Sequence, residues 1–227
     1  MNIINFFSDI SLDEKSHIYK VKDKYVKTSV SKVIKRFYEP FDSYTISKRK
    51  AEKDGVKQEY LLKKWEDERV KSINKGHSLH KFAENFVKKC DIVPKSKDEE
   101  AVVKFFYELP NNVKPYVTEL SMYCPKYEFC GTADLILYNE IKDKFYLCDY
   151  KTNKDLFKNF NNKKLLYPFE DLLDTPFNKY QIQLSLYQMM FETSGYNIDK
   201  RKIIWINKGN YKIYDTKNFI NRLKKVL

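Results

Sequence analysis

The stretch Phe129–Lys154, FCGTADLILYNEIKDKFYLCDYKTNK, decides the reading of this chain. Two runs rich in β-branched and aromatic residues, CGTADLILY and KFYLCDYKT, flank the polar NEIKDK, so the segment reads as two antiparallel strands joined by a turn. Side chains two apart on a strand share a face, so Asp149 and Lys151 project together while Tyr150 points away. Pairing across the turn sets Asp134 beside Asp149. Two neighbouring carboxylates repel unless a cation lies between them, and a hard divalent ion such as Mg²⁺ suits oxygen donors. Lys151 next to such an ion could orient or deprotonate a water, or offset charge on a phosphoryl oxygen. Taken alone, an Asp–Lys pair at this spacing would be an ordinary surface ion pair of little energy.

Working outward, YVTELSMYC from Tyr116 supplies a third strand, giving a three-stranded antiparallel meander. After a Lys- and Asn-rich loop, NKYQIQLSLYQMMFETS reads as a helix ending at Gly195. KIIWIN and YKIYD are further strands, and a short amphipathic helix closes the chain. Upstream the chain reads as mostly helical. TSVSKVIKRFY, from Thr28 to Tyr38, has Thr28 or Ser29 as N-cap and Val30, Val33, Ile34 and Phe37 on one face. A polar, lysine-rich connection follows to about Lys57. EYLLKKWEDERVKSI places Tyr60, Leu61, Trp65, Val70 and Ile73 at helical spacing, and Gly76 is expected to break or bend the chain before HSLHKFAENFVKKC. There Leu79, Phe82, Ala83, Phe86 and Val87 form a stripe, and a shorter helix, DEEAVVKFFYEL, ends at Pro110. The fold class is α/β: helices, three strands, a helix and further strands.

At 227 residues the chain is long enough for one α/β domain with an elaborated N-terminal part. With 42% hydrophobic and 16% aromatic residues and only 5 Gly and 7 Pro, disorder is excluded over most of the length. A net charge of +12 points to a polyanionic partner, nucleic acid first, although AT-rich codon usage also favours Lys and Asn. Cys90, Cys124, Cys130 and Cys148 show no CxxC and no zinc or iron–sulfur spacing, so they read as reduced thiols. The opening MNIINFFSDISLDEK carries Asp9, Asp13 and Glu14 and no Arg, unlike a mitochondrial transit peptide, and no apolar run reaches membrane-span length. A soluble, intracellular protein with no membrane partner is expected.

Four short patterns in order carry a family resemblance. GTADLIL…LCDYKT is similar to the nuclease motif of the PD-(D/E)xK superfamily in its RecB-like branch, with Gly131 and Asp134 in a G-x-x-D strand and Asp149, Tyr150 and Lys151 in a D-x-K strand. Upstream, KGHSLHKFAE matches the branch's G-x-x-x-H helix through Gly76 and His80. Downstream, QLSLY matches its Q-x-x-x-Y helix through Gln183 and Tyr187. Within the branch, TSVSKVI followed by a helical segment with Trp65 looks most like the mitochondrial genome-maintenance exonuclease and its phage and viral relatives.

The resemblance implies a restriction-endonuclease-like core over residues 76–227, with residues 1–75 as a helical extension arching over the substrate. It implies a Mg²⁺- or Mn²⁺-dependent exonuclease preferring single-stranded DNA with free ends, acting in replication, repair or recombination and leaving 5′-phosphate products. The setting would be the cytoplasm of a bacterium or of a virus- or phage-infected host. His80, Asp134, Asp149 and the Tyr150 backbone carbonyl would hold one or two ions, with Glu119 as an auxiliary ligand and Glu84 a weaker candidate. Lys151 would position and activate water, while Gln183 and Tyr187, one helical turn apart, would bridge the nucleotide backbone and the ligand shell. His77 has no counterpart in the pattern and His17 no assigned role. Ser29, Lys32, Lys35, Arg36, Lys71 and Lys75 are candidate DNA contacts, giving affinity without sequence preference. The cluster-ligand cysteines of some RecB-like nucleases are missing, so no iron–sulfur cluster is expected. There is no phosphate-binding GxxxxGK[ST] loop, so a partner helicase or polymerase would supply the single strand.

Two rivals share these residues. One is a structure-selective or RNA-cleaving endonuclease on the same fold; cap-snatching viral endonucleases also combine a helix His with strand acids and Lys, but lack the G-x-x-D plus Q-x-x-x-Y pairing. The other is a catalytically inactive nucleic-acid-binding module, against which the intact Asp134, Asp149 and Lys151 argue.

Overall fold

A computed structural model describes residues 3–13, 18–89 and 92–227; Glu14, His17 and Cys90 lie outside the described residues. A short helix α1 (Ile3–Phe6) leads into three strands, β1 (Ile10–Asp13), β2 (Ile18–Val21) and β3 (Lys24–Val26), which form a small antiparallel sheet. Strand β4 (Thr28–Ser29) then runs into α2 (Val30–Ile34), α3 (Ser43–Asp54), α4 (Gln58–Lys89) and α5 (Lys97–Tyr107). The larger sheet follows with β5 (Val113–Cys124), β6 (Phe129–Asn139) and β7 (Lys144–Lys151). Helix α6 (Pro176–Phe191), β8 (Ile198–Asn207), β9 (Asn210–Asp215) and α7 (Ile220–Leu223) complete the chain.

Strand β6 organises this mixed sheet. It pairs antiparallel with β5 along its length, with β7 from Leu135 to Asn139, and parallel with β4 at Phe129 and Cys130. Because β5 occupies one edge throughout, β4 and β7 share the other, and they leave Gly131 to Asp134 unpaired between them. Strand β7 continues parallel to β8 through the crossover containing α6, and β9 folds back on β8.

Alternation along the strands builds two cores. Phe145, Leu147 and Ile203 pack with Leu184, Leu186, Met190 and Phe191 of α6, while Tyr146, Cys148, Tyr150, Ile204 and Ile206 pack with Leu79, Phe82 and Ala83 of α4 and Val102 and Phe105 of α5. Each fully buried Leu, Ile or Phe contributes roughly 1.5–3 kcal/mol of transfer free energy, so helices on both faces fix the sheet. Asp149 shares the α6-facing parity of Phe145 and Leu147, whereas His80 comes from α4 on the opposite face.

The meander, α6, β8, β9 and a terminal helix agree with the sequence reading, as does the N-cap position of Ser29, with Val30, Val33, Ile34 and Phe37 buried. The last turn of that segment is a 3₁₀ helix, Lys35–Phe37. Four expectations need correction. The mostly helical N-terminal region contains the three-stranded sheet β1–β3. The lysine-rich connection before Lys57 is largely helix α3, capped by the Asp42 side chain accepting from the Thr45 N–H at 2.9 Å and by Gly55 at φ 66°. Gly76 does not interrupt α4, a continuous helix of 32 residues through which the expected division at residue 75 passes. In its first half Leu61 is buried, while Tyr60, Val70 and Ile73 are exposed. A glycine costs about 1 kcal/mol within a helix, which the packing of Leu79, Phe82 and Ala83 just beyond it outweighs. Among the described residues no helix is long and apolar enough to cross a membrane.

Candidate metal and catalytic site

Where β6 and β7 part, side chains from both faces of the sheet meet. The Asp134 carboxylate oxygen Oδ2 accepts a hydrogen bond from the Tyr150 N–H at 2.8 Å and lies 3.5 Å from His80 Nδ1. His80 Nε2 lies 3.1 Å from the Tyr150 carbonyl oxygen, so both ring nitrogens are directed and the imidazole is fixed. Asp134 thus takes the place of a strand partner for Tyr150 while presenting charge to α4. Asp149 is fully buried and pairs with the Lys151 ammonium.

Glu119 lies between Thr118, which pairs with Leu135, and Leu120, which pairs with Ala133, and therefore opposite Asp134. Its φ of 50° puts a non-glycine residue in the left-handed region, a strain of order 1 kcal/mol that persists only where surrounding structure imposes it. The result is a triad in which His80, Glu119 and Asp134 each offer one ligand atom, all within 4.8 Å of one another. One nitrogen and two carboxylate donors suit a divalent cation such as Mn²⁺ or Mg²⁺.

The electrostatics fit the same reading. Burial and the Asp134 charge push Glu119 up to about 8. Burial opposes protonation of His80, but the Asp134 carboxylate outweighs it and raises the imidazole to about 9. Burial likewise opposes ionisation of Asp134, yet His80 and Lys151 hold it below its ordinary value. Asp149 is pushed up to about 6 by burial and by Asp134, against the pull of Lys151. Desolvation would lower Lys151, but Asp149 and Asp134 raise it well above the usual lysine value. Protons are retained where negative charge is crowded, and a bound cation would serve the same purpose.

A cleft of about 240 Å³ opens beside these groups, walled by Ser72, Gly76, His77 and His80 of α4 and by Lys151 and Thr152 at the end of β7. A Cβ on Gly76 would stand at ordinary contact distance, 3.8 Å, from Thr152 Oγ1, so glycine here widens the cleft rather than avoiding a clash. Gly131 is different. A Cβ there would lie 2.8 Å from Tyr187 Cε1, 3.0 Å from Val30 Cγ2 and 3.3 Å from Met190 Cε, so its absence lets α2 and α6 close on β6.

Not every expected residue joins the site. Gln183 Nε2 donates to the Tyr187 hydroxyl at 2.9 Å, and burial followed by Asp149 and Asp134 raises the phenol well above its usual value, placing it within their field. Glu84 is held by Lys81 and Lys88 at 2.9 and 2.6 Å, outside the triad. The six candidate DNA contacts form two separate groups. Ser29, Lys32, Lys35 and Arg36 lie on and around α2, with Lys32 donating to the Lys27 carbonyl at 2.8 Å. Lys71 is exposed on α4 next to the cleft residue Ser72, and Lys75 pairs with Asp98 at 2.6 Å. Sequence reasoning passed over Tyr180 and Asn153, which also line the cleft. Tyr180 was recoverable, because it precedes Gln183 by three and Tyr187 by seven and so shares their helix face.

No family model matches the chain, and no curated protein matches it. Among solved structures, that of SSO0001 is similar at 17% identity with a TM-score of 0.29, over 56% of this chain and 54% of that one. The chain therefore spans about half the length of that neighbour, and a likeness of this degree carries no argument about function.

Proposed function

We propose that this chain is a metal-dependent nuclease with a restriction-endonuclease-like core of the PD-(D/E)xK type, RecB-like branch, acting as an exonuclease on single-stranded DNA with free ends. The observation that carries the reading is the convergence of the His80–Glu119–Asp134 triad with the Asp149–Lys151 pair at one end of the sheet. A net charge of +12 supports a polyanionic substrate.

His80, Glu119 and Asp134 would hold the ion, with Asp149 and the Tyr150 carbonyl as adjacent oxygen donors. When bound, Mg²⁺ or Mn²⁺ supplies Lewis-acid activation of water and charge compensation for phosphodiester hydrolysis. Lys151, held protonated, can donate to the attacking water and to a non-bridging phosphate oxygen but cannot accept a proton. Asp149, buried and paired with Lys151, is the nearby carboxylate able to accept the proton that the water loses. The Tyr150 N–H fixes Asp134, and the Tyr150 carbonyl fixes His80, so one peptide unit sets two of the site's side chains.

The test is digestion of end-labelled linear and circular single-stranded DNA with Mg²⁺ or Mn²⁺ by the wild type and by Lys151→Ala. Degradation of linear DNA alone, lost in the variant and in chelator, is the expected result. Cleavage of circles would replace the exonuclease with an endonuclease. Binding without hydrolysis of either substrate would leave a binding module.

A further inference from the structure

We propose that Tyr180 is a positioning residue for Lys151, a role that rests on the nuclease reading for its catalytic meaning. The Lys151 ammonium has the Asp149 carboxylate on one side and the ring face of Tyr180 on the other, with Nζ 4.5 Å from the ring centroid. An ammonium over an aromatic face is attracted by the ring quadrupole, and Tyr180, half-buried, lines the cleft together with Lys151.

The ring is itself held. Its hydroxyl donates to Asn153 Oδ1 at 2.7 Å, and the Asn153 carbonyl accepts from Trp205 Nε1 at 2.8 Å. Trp205 is the residue of β8 that pairs with Lys151 across the parallel ladder. Helix α6 and strand β8 thereby clamp Asn153, two residues beyond Lys151, just where β7 leaves the sheet. A lysine side chain has four rotatable bonds and about 2 kcal/mol of rotamer entropy, so a single carboxylate contact leaves its reach into the cleft poorly defined. The ring supplies a second contact, and its hydroxyl adds a hydrogen bond to Asn153. Neither depends on a bound ion.

The experiment compares Tyr180→Leu, which removes the ring, with Tyr180→Phe, which keeps the ring and removes the hydroxyl. With Mn²⁺ and end-labelled single-stranded DNA, Tyr180→Leu is expected to lose about 10- to 100-fold in kcat, the scale of a misplaced catalytic group, with KM and Mn²⁺ affinity within about twofold of wild type. Tyr180→Phe should retain most of the wild-type kcat. In protein labelled with [ε-¹³C]lysine, the Lys151 signal, assigned by its loss in Lys151→Arg, should be shifted upfield by the ring in wild type and Tyr180→Phe but not in Tyr180→Leu. An unshifted Lys151 signal overturns the proposal, as does a Tyr180→Leu enzyme with unchanged kcat or one whose Mn²⁺ affinity and KM decline along with kcat. If no protein hydrolyses DNA, the nuclease reading fails, while the lysine signal still decides whether Tyr180 holds Lys151.

Discussion

Replacing Gly131 with alanine tests how the β6 strand, α2 and α6 are held together, and it does so without assuming any activity. The added methyl would stand 2.8 Å from Tyr187 Cε1, 3.0 Å from Val30 Cγ2 and 3.3 Å from Met190 Cε, with no flexible side-chain end among the two tightest neighbours. Gly131, Val30, Met190 and Tyr187 are all buried, which leaves little free volume into which the ring can retreat. Overpacking of this kind costs about 1–3 kcal/mol, and for a domain of this size each kcal/mol lowers Tm by about 2–4 °C. A fall in Tm of roughly 2–12 °C is therefore expected by calorimetry at neutral pH. Displacing Tyr187 also strains its hydrogen bond from Gln183. The cause can be isolated in a Tyr187→Ala background, where the tightest contact is gone and the cost of Gly131→Ala should shrink by at least about 0.5 kcal/mol. A Gly131→Ala protein with wild-type Tm, or an equal cost in both backgrounds, would refute the close-packing account.

The remaining predictions concern the charged site and one helix cap. Glu119→Gln should weaken Mn²⁺ binding at least about tenfold by isothermal titration, because it removes a charged donor from the triad, while the metal-free protein should keep or gain stability above pH 8. For metal-free wild type, the folded state holds protons on Glu119 up to about 8 and on His80 up to about 9, above their ordinary values of 4.5 and 6.5. Groups with raised folded pKa values contribute stability that is complete below the unfolded pKa and is lost as pH rises through the folded one. Tm in chelator should accordingly decline from about pH 5 to pH 9, and saturating Mn²⁺ should flatten the slope; a metal-free Tm that rises over this window contradicts the assignment. Thr175→Ala removes the side chain that accepts from the Asn178 N–H at 3.2 Å at the start of α6, and denaturant unfolding should register a loss of about 1 kcal/mol.

Much of the sheet was legible because its signal is local. Strands β5 to β7 are rich in β-branched and aromatic residues and bounded by polar turns, and period two alone places Asp149 and Lys151 together, as their ion pair shows. Asp134 followed from pairing across the turn and Gly131 from a motif, and the physical reason for the glycine, the approach of Tyr187 and Val30, becomes visible only in three dimensions. Helix α3 was missed because its only buried side chains are Ser47 and Ala51, so no apolar stripe announces it. Its caps were there to be read: Asp42 before the first turn and Gly55 after the last. Gly76 misled in the opposite direction, since a glycine penalty of about 1 kcal/mol is a weak signal against the burial of the turns that follow.

Glu119 shows why the site was harder to read than the fold. In the sequence it reads equally well as an ordinary strand-surface acid, and nothing in YVTELSMYC signals a residue at φ 50°. The register sets Glu119 opposite Asp134, and its carboxylate lies with that of Asp134 and the His80 imidazole while its backbone is left-handed. A left-handed glutamate next to another buried carboxylate is unfavourable twice over, by strain and by repulsion, so the surrounding β5–β6 pairing must hold it there. Glu119→Gly separates the two terms: it relieves the backbone strain and deletes the charge, whereas Glu119→Gln deletes the charge alone. The glycine variant should therefore be the more stable of the two in chelator at pH 9, and both should bind Mn²⁺ weakly. Equal stabilities would mean that the backbone at this position carries no strain.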